Sequence, residues 1–117
     1  MNIPLEEEEQ IMLANWLNMK NIKFTAIPNS TFTTSWNQKR KNKAMGLNAG
    51  LPDLMIILPK KEPALIFIEM KRQKKSLSVV RKAQKEWINN LNTIENVQAE
   101  ICYGAEEAIN LIENMLK

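Results

Sequence analysis

From its N-terminus the chain shows apolar positions repeating at helical spacing: Met12, Leu13, Trp16 and Leu17 share one face of a segment from Pro4 to about Lys20. Proline suits a first helical turn, and the four glutamates Glu6 to Glu9 suit the positive end of the helix dipole. The stretch "IKFTAIP" then sets Phe24 and Ala26 against Lys23 and Thr25, which predicts a short strand stopped by Pro28. Asn29 to Leu51 is polar, basic and punctuated by glycine, and is too long for an ordinary connection. It reads as a functional loop with room for a helical turn.

"LMIIL" and "ALIFIEM" are continuous apolar runs, as expected of strands covered on both faces, and "PKKEPA" joins them as a hairpin turn. Helical spacing returns from Ser78 to about Asn92, with Val80, Ala83, Trp87 and Leu91 on one stripe. "VQAEICYG" alternates as a strand closed by Gly104, and Ala105 to Leu116 forms a last amphipathic helix through Ala108, Ile109, Ile112 and Met115. The expected fold is α/β, a mixed central sheet flanked by helices in the order α-β-β-β-α-β-α.

The chain has 117 residues, 44% of them hydrophobic, and no compositional bias, which fits a single domain over residues 1–117. Its acidic N-terminus does not resemble a secretory signal and no apolar run approaches a membrane span, so an intracellular, cytoplasmic protein without membrane association is expected. One cysteine, Cys102, excludes an internal disulfide framework and a cysteine-rich zinc site. The absence of histidine removes Ser-His-Asp and Cys-His devices and histidine-ligated metals. An enzyme of this composition has carboxylates, lysines and an oxygen-loving metal to work with.

The net charge of +3 conceals an uneven distribution: thirteen of the sixteen Lys and Arg residues lie between Lys39 and Lys85, opposed there by Asp53, Glu62 and Glu69 alone. A basic middle suggests a polyanion, with nucleic acid first. Lys39, Arg40, Lys41 and Lys43, with Arg72, are read as phosphate contacts, which supply affinity without reading sequence. Trp36 either stacks on a base or pins the loop to the fold.

If the two apolar runs pair with Leu58 opposite Leu65, Asp53 comes to lie beside Glu69 and Met70. Glu69 and Lys71 are two apart and share a strand face. Asp53 alone would pass for an ordinary Pro-Asp turn residue, and Glu69 with Lys71 for an ion pair at a strand end. All three at matched ends of core strands point instead to a site. Two carboxylates and the Met70 carbonyl make a hard-oxygen set suited to magnesium or manganese, beside an ammonium that can orient water and stabilise charge on a phosphate. Metal-assisted phosphodiester hydrolysis uses every part.

These motifs also resemble a known family. "GLPDL" followed by "IEMK" resembles the PD-(D/E)XK nuclease superfamily. The wider pattern of an early Glu and Gln, "IPN", a basic stretch, "AGLPDL", "IEMKR", a Gln before "KEW", and "CYG" with "EEAI" is similar to its VRR-NUC branch of small phage-type and repair nucleases. The resemblance covers nearly the whole chain and implies a restriction-endonuclease-like fold. It implies that Asp53 and Glu69 bind Mg2+ or Mn2+, that Met70 adds its carbonyl, and that Lys71 serves the attacking water. The branch's helix-one Glu, four residues before a Gln, falls on Glu6 with Gln10, and Glu9 is the competing candidate. It also places Gln84 near the site. Asn29 matches the "IPN" of the pattern, but asparagine after proline is a routine turn residue and is given no chemical role.

The resulting expectation is an Mg/Mn-dependent endodeoxyribonuclease acting as a homodimer on branched DNA, with four-way junctions favoured and no small-molecule cofactor. A non-catalytic nucleic-acid-binding or assembly module of the same fold is the rival. A monomeric nicking or flap nuclease is the other alternative.

Overall fold

The computed structural model describes residues 2–28 and 35–117. Asn29 lies outside them. Helix α1 (Glu6–Met19) is followed by strand β1 (Lys23–Ala26), helix α2 (Trp36–Ala44), the hairpin strands β2 (Leu54–Ile57) and β3 (Leu65–Lys71), and a single 3-10 turn at Lys75–Leu77. Helix α3 (Lys82–Leu91), strand β4 (Val97–Tyr103) and helix α4 (Ala105–Leu116) complete the order. The four strands form one mixed sheet in the order β1-β2-β3-β4, antiparallel except for the parallel pair β3–β4. The expected α/β architecture is present, and the long polar segment before β2 carries a full helix, α2.

Strand alternation decides what each face holds. Leu54, Ile56, Ile66, Ile68 and Met70 are buried on one face, against Leu13 and Leu17 of α1 and Ala108 and Ile112 of α4. Removing each such Leu or Ile side chain from water contributes about 1.5–3 kcal/mol, so this layer supplies much of the cohesion. The intervening residues, Glu69 and Lys71 among them, project to the opposite face, where α3 packs across the sheet beside β4. The same alternation that fills the core therefore delivers two charged groups to the far side.

Three expectations shift in detail. The hairpin pairs Ile57 with Leu65, one residue from the expected Leu58–Leu65 register, because the Leu58 N–H donates to the Ala64 carbonyl at 2.8 Å and keeps both residues in the turn. Met12 is exposed rather than part of the buried face of α1, which runs instead through Glu9, Leu13 and Leu17 at four-residue intervals. Helix α3 begins at Lys82 rather than Ser78, because Ser78 Oγ accepts from the Arg72 N–H at 3.2 Å and the Val79 carbonyl accepts from the Lys71 ammonium at 3.0 Å. These bonds hold residues 78–81 out of the helix.

Candidate active site

The hairpin ends bring Asp53 and Glu69 together. The Met70 N–H donates to Asp53 Oδ2 at 2.7 Å, fixing that carboxylate at the mouth of the strand pair, while the Met70 side chain is fully buried in the core. Glu6, from the first turn of α1, completes a trio whose ligand oxygens all lie within 4.8 Å of one another. Three carboxylates this close repel one another, and each is at least half withdrawn from water. Burial raises the Glu6 carboxyl above its ordinary range; the Lys71 charge partly counters this and Asp53 adds to it. Burial, and then the Asp53 charge, push Glu69 up to about 8, against the opposing pull of Lys71.

Lys71 and Gln84 form the other half of the site. Lys71 is 5% exposed, and its ammonium lies 3.7 Å from Glu69 Oε2 and donates to the Val79 carbonyl at 3.0 Å and to Gln84 Oε1 at 3.2 Å. Gln84 Nε2 in turn donates to Glu69 Oε2 at 3.1 Å, and its Oε1 also accepts from the Arg81 N–H at 2.9 Å as α3 begins. Glu69 Oε1 is buried with no hydrogen-bond partner among the described residues. A buried carboxylate oxygen left over beside two further carboxylates suits a hard divalent cation. Glu6, Asp53 and Glu69 would hold it.

Glu9 ends elsewhere. It is fully buried, and its Oε1 accepts from the Ala105 N–H at 3.0 Å, the first residue of α4, where a carboxylate also meets the positive end of that helix. Among the acidic residues of the first turn, Glu6 reaches the carboxylate cluster. The signal separating the two was present in the sequence: Glu9 stands four residues before Leu13 and eight before Leu17, in line with the buried stripe.

A model of the VRR-NUC domain family matches residues 5–106. The chain belongs to the VRR-NUC family. A solved structure described as a "VRR_NUC domain protein" superposes on it with a TM-score of 0.78 and 26% identity, covering 99% of this chain and 91% of that one. Among curated proteins none matches. VRR-NUC is a nuclease domain of the PD-(D/E)XK type.

In this VRR-NUC domain the five basic residues read as phosphate contacts divide into two groups. Lys39, Arg40, Lys41 and Lys43 are exposed on α2, a helix with no buried residue, and none of them pairs with a carboxylate among the described residues. Lys39 Nζ lies 5.0 Å from the centre of the Trp36 ring, which is itself 73% exposed. Arg72 is placed differently: its Nη2 donates to the Ile3 carbonyl at 2.7 Å and its Nε to that of Pro4 at 3.0 Å. Sequence reasoning did not find the Val79 carbonyl or Ser78, since a backbone acceptor and a lone serine leave no residue-type signature. No helix among the described residues is long and apolar enough to cross a membrane.

Proposed function

We propose that this VRR-NUC domain is an Mg2+- or Mn2+-dependent endodeoxyribonuclease. The observation that carries the reading is the trio Glu6, Asp53 and Glu69, with the unpartnered Glu69 Oε1, set against the Lys71 ammonium. Glu6, Asp53 and Glu69 would hold the ion, with the Met70 carbonyl as a further oxygen donor. A divalent ion bound there would neutralise phosphate charge and promote attack by water. Lys71 has three N–H donors, of which Val79 and Gln84 take two. The third remains for the attacking water or for a phosphate oxygen gaining charge. Gln84 bridges Lys71 and Glu69 and so fixes the distance between ammonium and carboxylate.

The α2 lysines and arginine supply sequence-independent affinity for the DNA backbone. One chain carries one such carboxylate cluster among its described residues, so paired incision of a branched substrate needs two chains. A two-fold homodimer acting on four-way junctions is the simplest arrangement that provides them. The experiment is incubation of purified protein with linear, flapped and four-way-branched DNAs, in EDTA and with Mg2+ or Mn2+, alongside sedimentation. Metal-dependent paired cuts by a dimer are expected. Metal-independent binding without cleavage would make this a nucleic-acid-binding module, and single nicks by a monomer would remove the dimer.

A further inference from the structure

We infer that Arg72 and Glu9 are positioning residues that clamp the first turn of α1 from both sides and so present Glu6 to the metal. The inference rests on the metal-site reading above. Glu6 is the weakest point of that site, because it is carried by the opening turn of a helix, where backbone bonds are incomplete and the chain frays. A ligand on a mobile turn would lose conformational freedom on binding the ion, at the expense of affinity. This fold removes that freedom beforehand.

The upstream clamp is Arg72. Its guanidinium takes the carbonyls of Ile3 and Pro4, just ahead of Glu6, with two donors of one planar fork. Glu8 Oε1 closes the same turn by accepting from the Leu5 N–H at 2.9 Å. The downstream clamp is Glu9, three residues after Glu6, which accepts from the Ala105 N–H. Both clamps spring from the frame that carries Glu69 and Lys71. Arg72 directly follows Lys71, the last residue of β3. Ala105 follows Gly104, whose N–H donates to the Lys71 carbonyl at 2.9 Å. Glu6 is thereby referenced to β3 and β4 rather than to its own helix end. The same geometry commits two of the five N–H donors of Arg72 to main-chain carbonyls, which gives it the task of holding the turn ahead of Glu6.

Calorimetric titration of Mn2+ into the wild-type chain and its Glu6→Gln, Glu9→Gln, Glu9→Ala, Arg72→Lys and Arg72→Ala variants tests this. DNA affinity is measured against salt in EDTA, and circular dichroism confirms that each variant is folded at the titration temperature. Glu6→Gln, a lost ligand, should bind Mn2+ most weakly. Glu9→Gln keeps an oxygen for the Ala105 N–H and should stay within about twofold of wild type, whereas Glu9→Ala and Arg72→Lys should each lose roughly tenfold, as supporting residues around metal ligands do. Arg72→Lys keeps the charge but not the fork, and both Arg72 variants should keep the wild-type salt slope. The inference is overturned if Glu9→Gln is as damaging as Glu6→Gln, which would make Glu9 a ligand. It is equally overturned if Arg72→Lys binds Mn2+ normally while Arg72→Ala loses salt slope by about 0.9, the mark of a group that neutralises a phosphate. Should Glu9→Ala not fold, Arg72→Lys decides. Absence of Mn2+ binding by the wild-type chain would instead remove the metal-site reading itself, and this inference with it.

Discussion

The amide of Gln84 joins Lys71 to Glu69 from both ends, accepting from the Lys71 ammonium at 3.2 Å and donating to Glu69 Oε2 at 3.1 Å. Replacement by Glu keeps the acceptor for Lys71 and for the Arg81 N–H, but removes the donor and sets a further negative charge against Glu69. We expect Gln84→Glu to fold and to lose cleavage by one to two orders of magnitude, roughly the effect of misplacing a supporting group. Gln84→Ala should lose in addition about 1 kcal/mol of stability, because the start of α3 is left without its side-chain partner. Single-turnover rates and denaturant unfolding of the two variants check both statements, and unchanged rates in both would remove Gln84 from the site.

The Glu69 carboxyl stands at about 8, raised from 4.5 chiefly by burial and by the Asp53 charge. A carboxyl that remains protonated in the fold while the unfolded chain ionises contributes stability below pH 4.5, and that contribution is lost as pH climbs through about 8. In EDTA the melting temperature should therefore decline across that window, and Mg2+ or Mn2+ should restore more of it the higher the pH. Glu69→Gln, neutral at every pH, should flatten the decline, abolish the metal response and abolish cleavage. Thermal melts at several pH values with and without metal check this. A melting temperature that climbs with pH and ignores metal contradicts it.

Gly50 approaches α3 so closely that an added Cβ would meet the Ala83 carbonyl carbon at 2.7 Å, and its φ of +100 is one that other residues rarely adopt. Nearby, the Trp87 indole N–H donates to the Ala49 carbonyl at 3.1 Å, so this is where the segment leading to Asp53 rests on the helix. Gly50→Ala should cost about 3 kcal/mol or more and lower the cleavage rate, because Asp53 lies three residues on. Gly46, with φ +88 and open space around it, isolates the strain alone, and Gly46→Ala should cost roughly 1 kcal/mol without affecting the chemical step. Equal destabilisation in the two variants would show that the close approach to α3 contributes nothing.

Neutralising Lys39, Arg40 and Lys41 together should weaken association with DNA about equally across sequences. It should also flatten the dependence of log K on log salt, by up to roughly 0.9 for each phosphate that is no longer neutralised. With no buried residue on α2, the melting temperature should hardly move. An unchanged salt slope would leave α2 as a solvated face.

What could be read in advance divides along a physical line. The convergence of Asp53, Glu69 and Lys71 is set by strand period and hairpin closure, and both are written in the order of residue types around "LPDL" and "IEMK". The register slipped by one because the turn holds both Leu58 and Ala64, a choice made by backbone bonds. The starting point of α3 was legible only as a stripe through Val80 and Ala83. The ammonium of Lys71 and the N–H of Arg72 then draw residues 78–81 away from the helix. Local pattern gives way there because a charged group with few alternatives outweighs one helical turn. Arg72 shows the same limit: its charge suggested phosphate, and sequence alone did not reveal that two of its donors reach the carbonyls of Ile3 and Pro4, distant in sequence and close in space.

The Val79 carbonyl that receives the Lys71 ammonium belongs to a residue whose side chain points into solvent, 74% exposed. The ammonium is thus tied to a place along the chain and is indifferent to which residue stands there. Substitutions at Val79 that leave the backbone path intact should pass without effect. Insertion or deletion of a single residue between Arg72 and Lys82 would move a different carbonyl under the ammonium, or none. For this segment the spacing between β3 and α3, counted in peptide units, is the heritable quantity, and the letter at position 79 is close to silent.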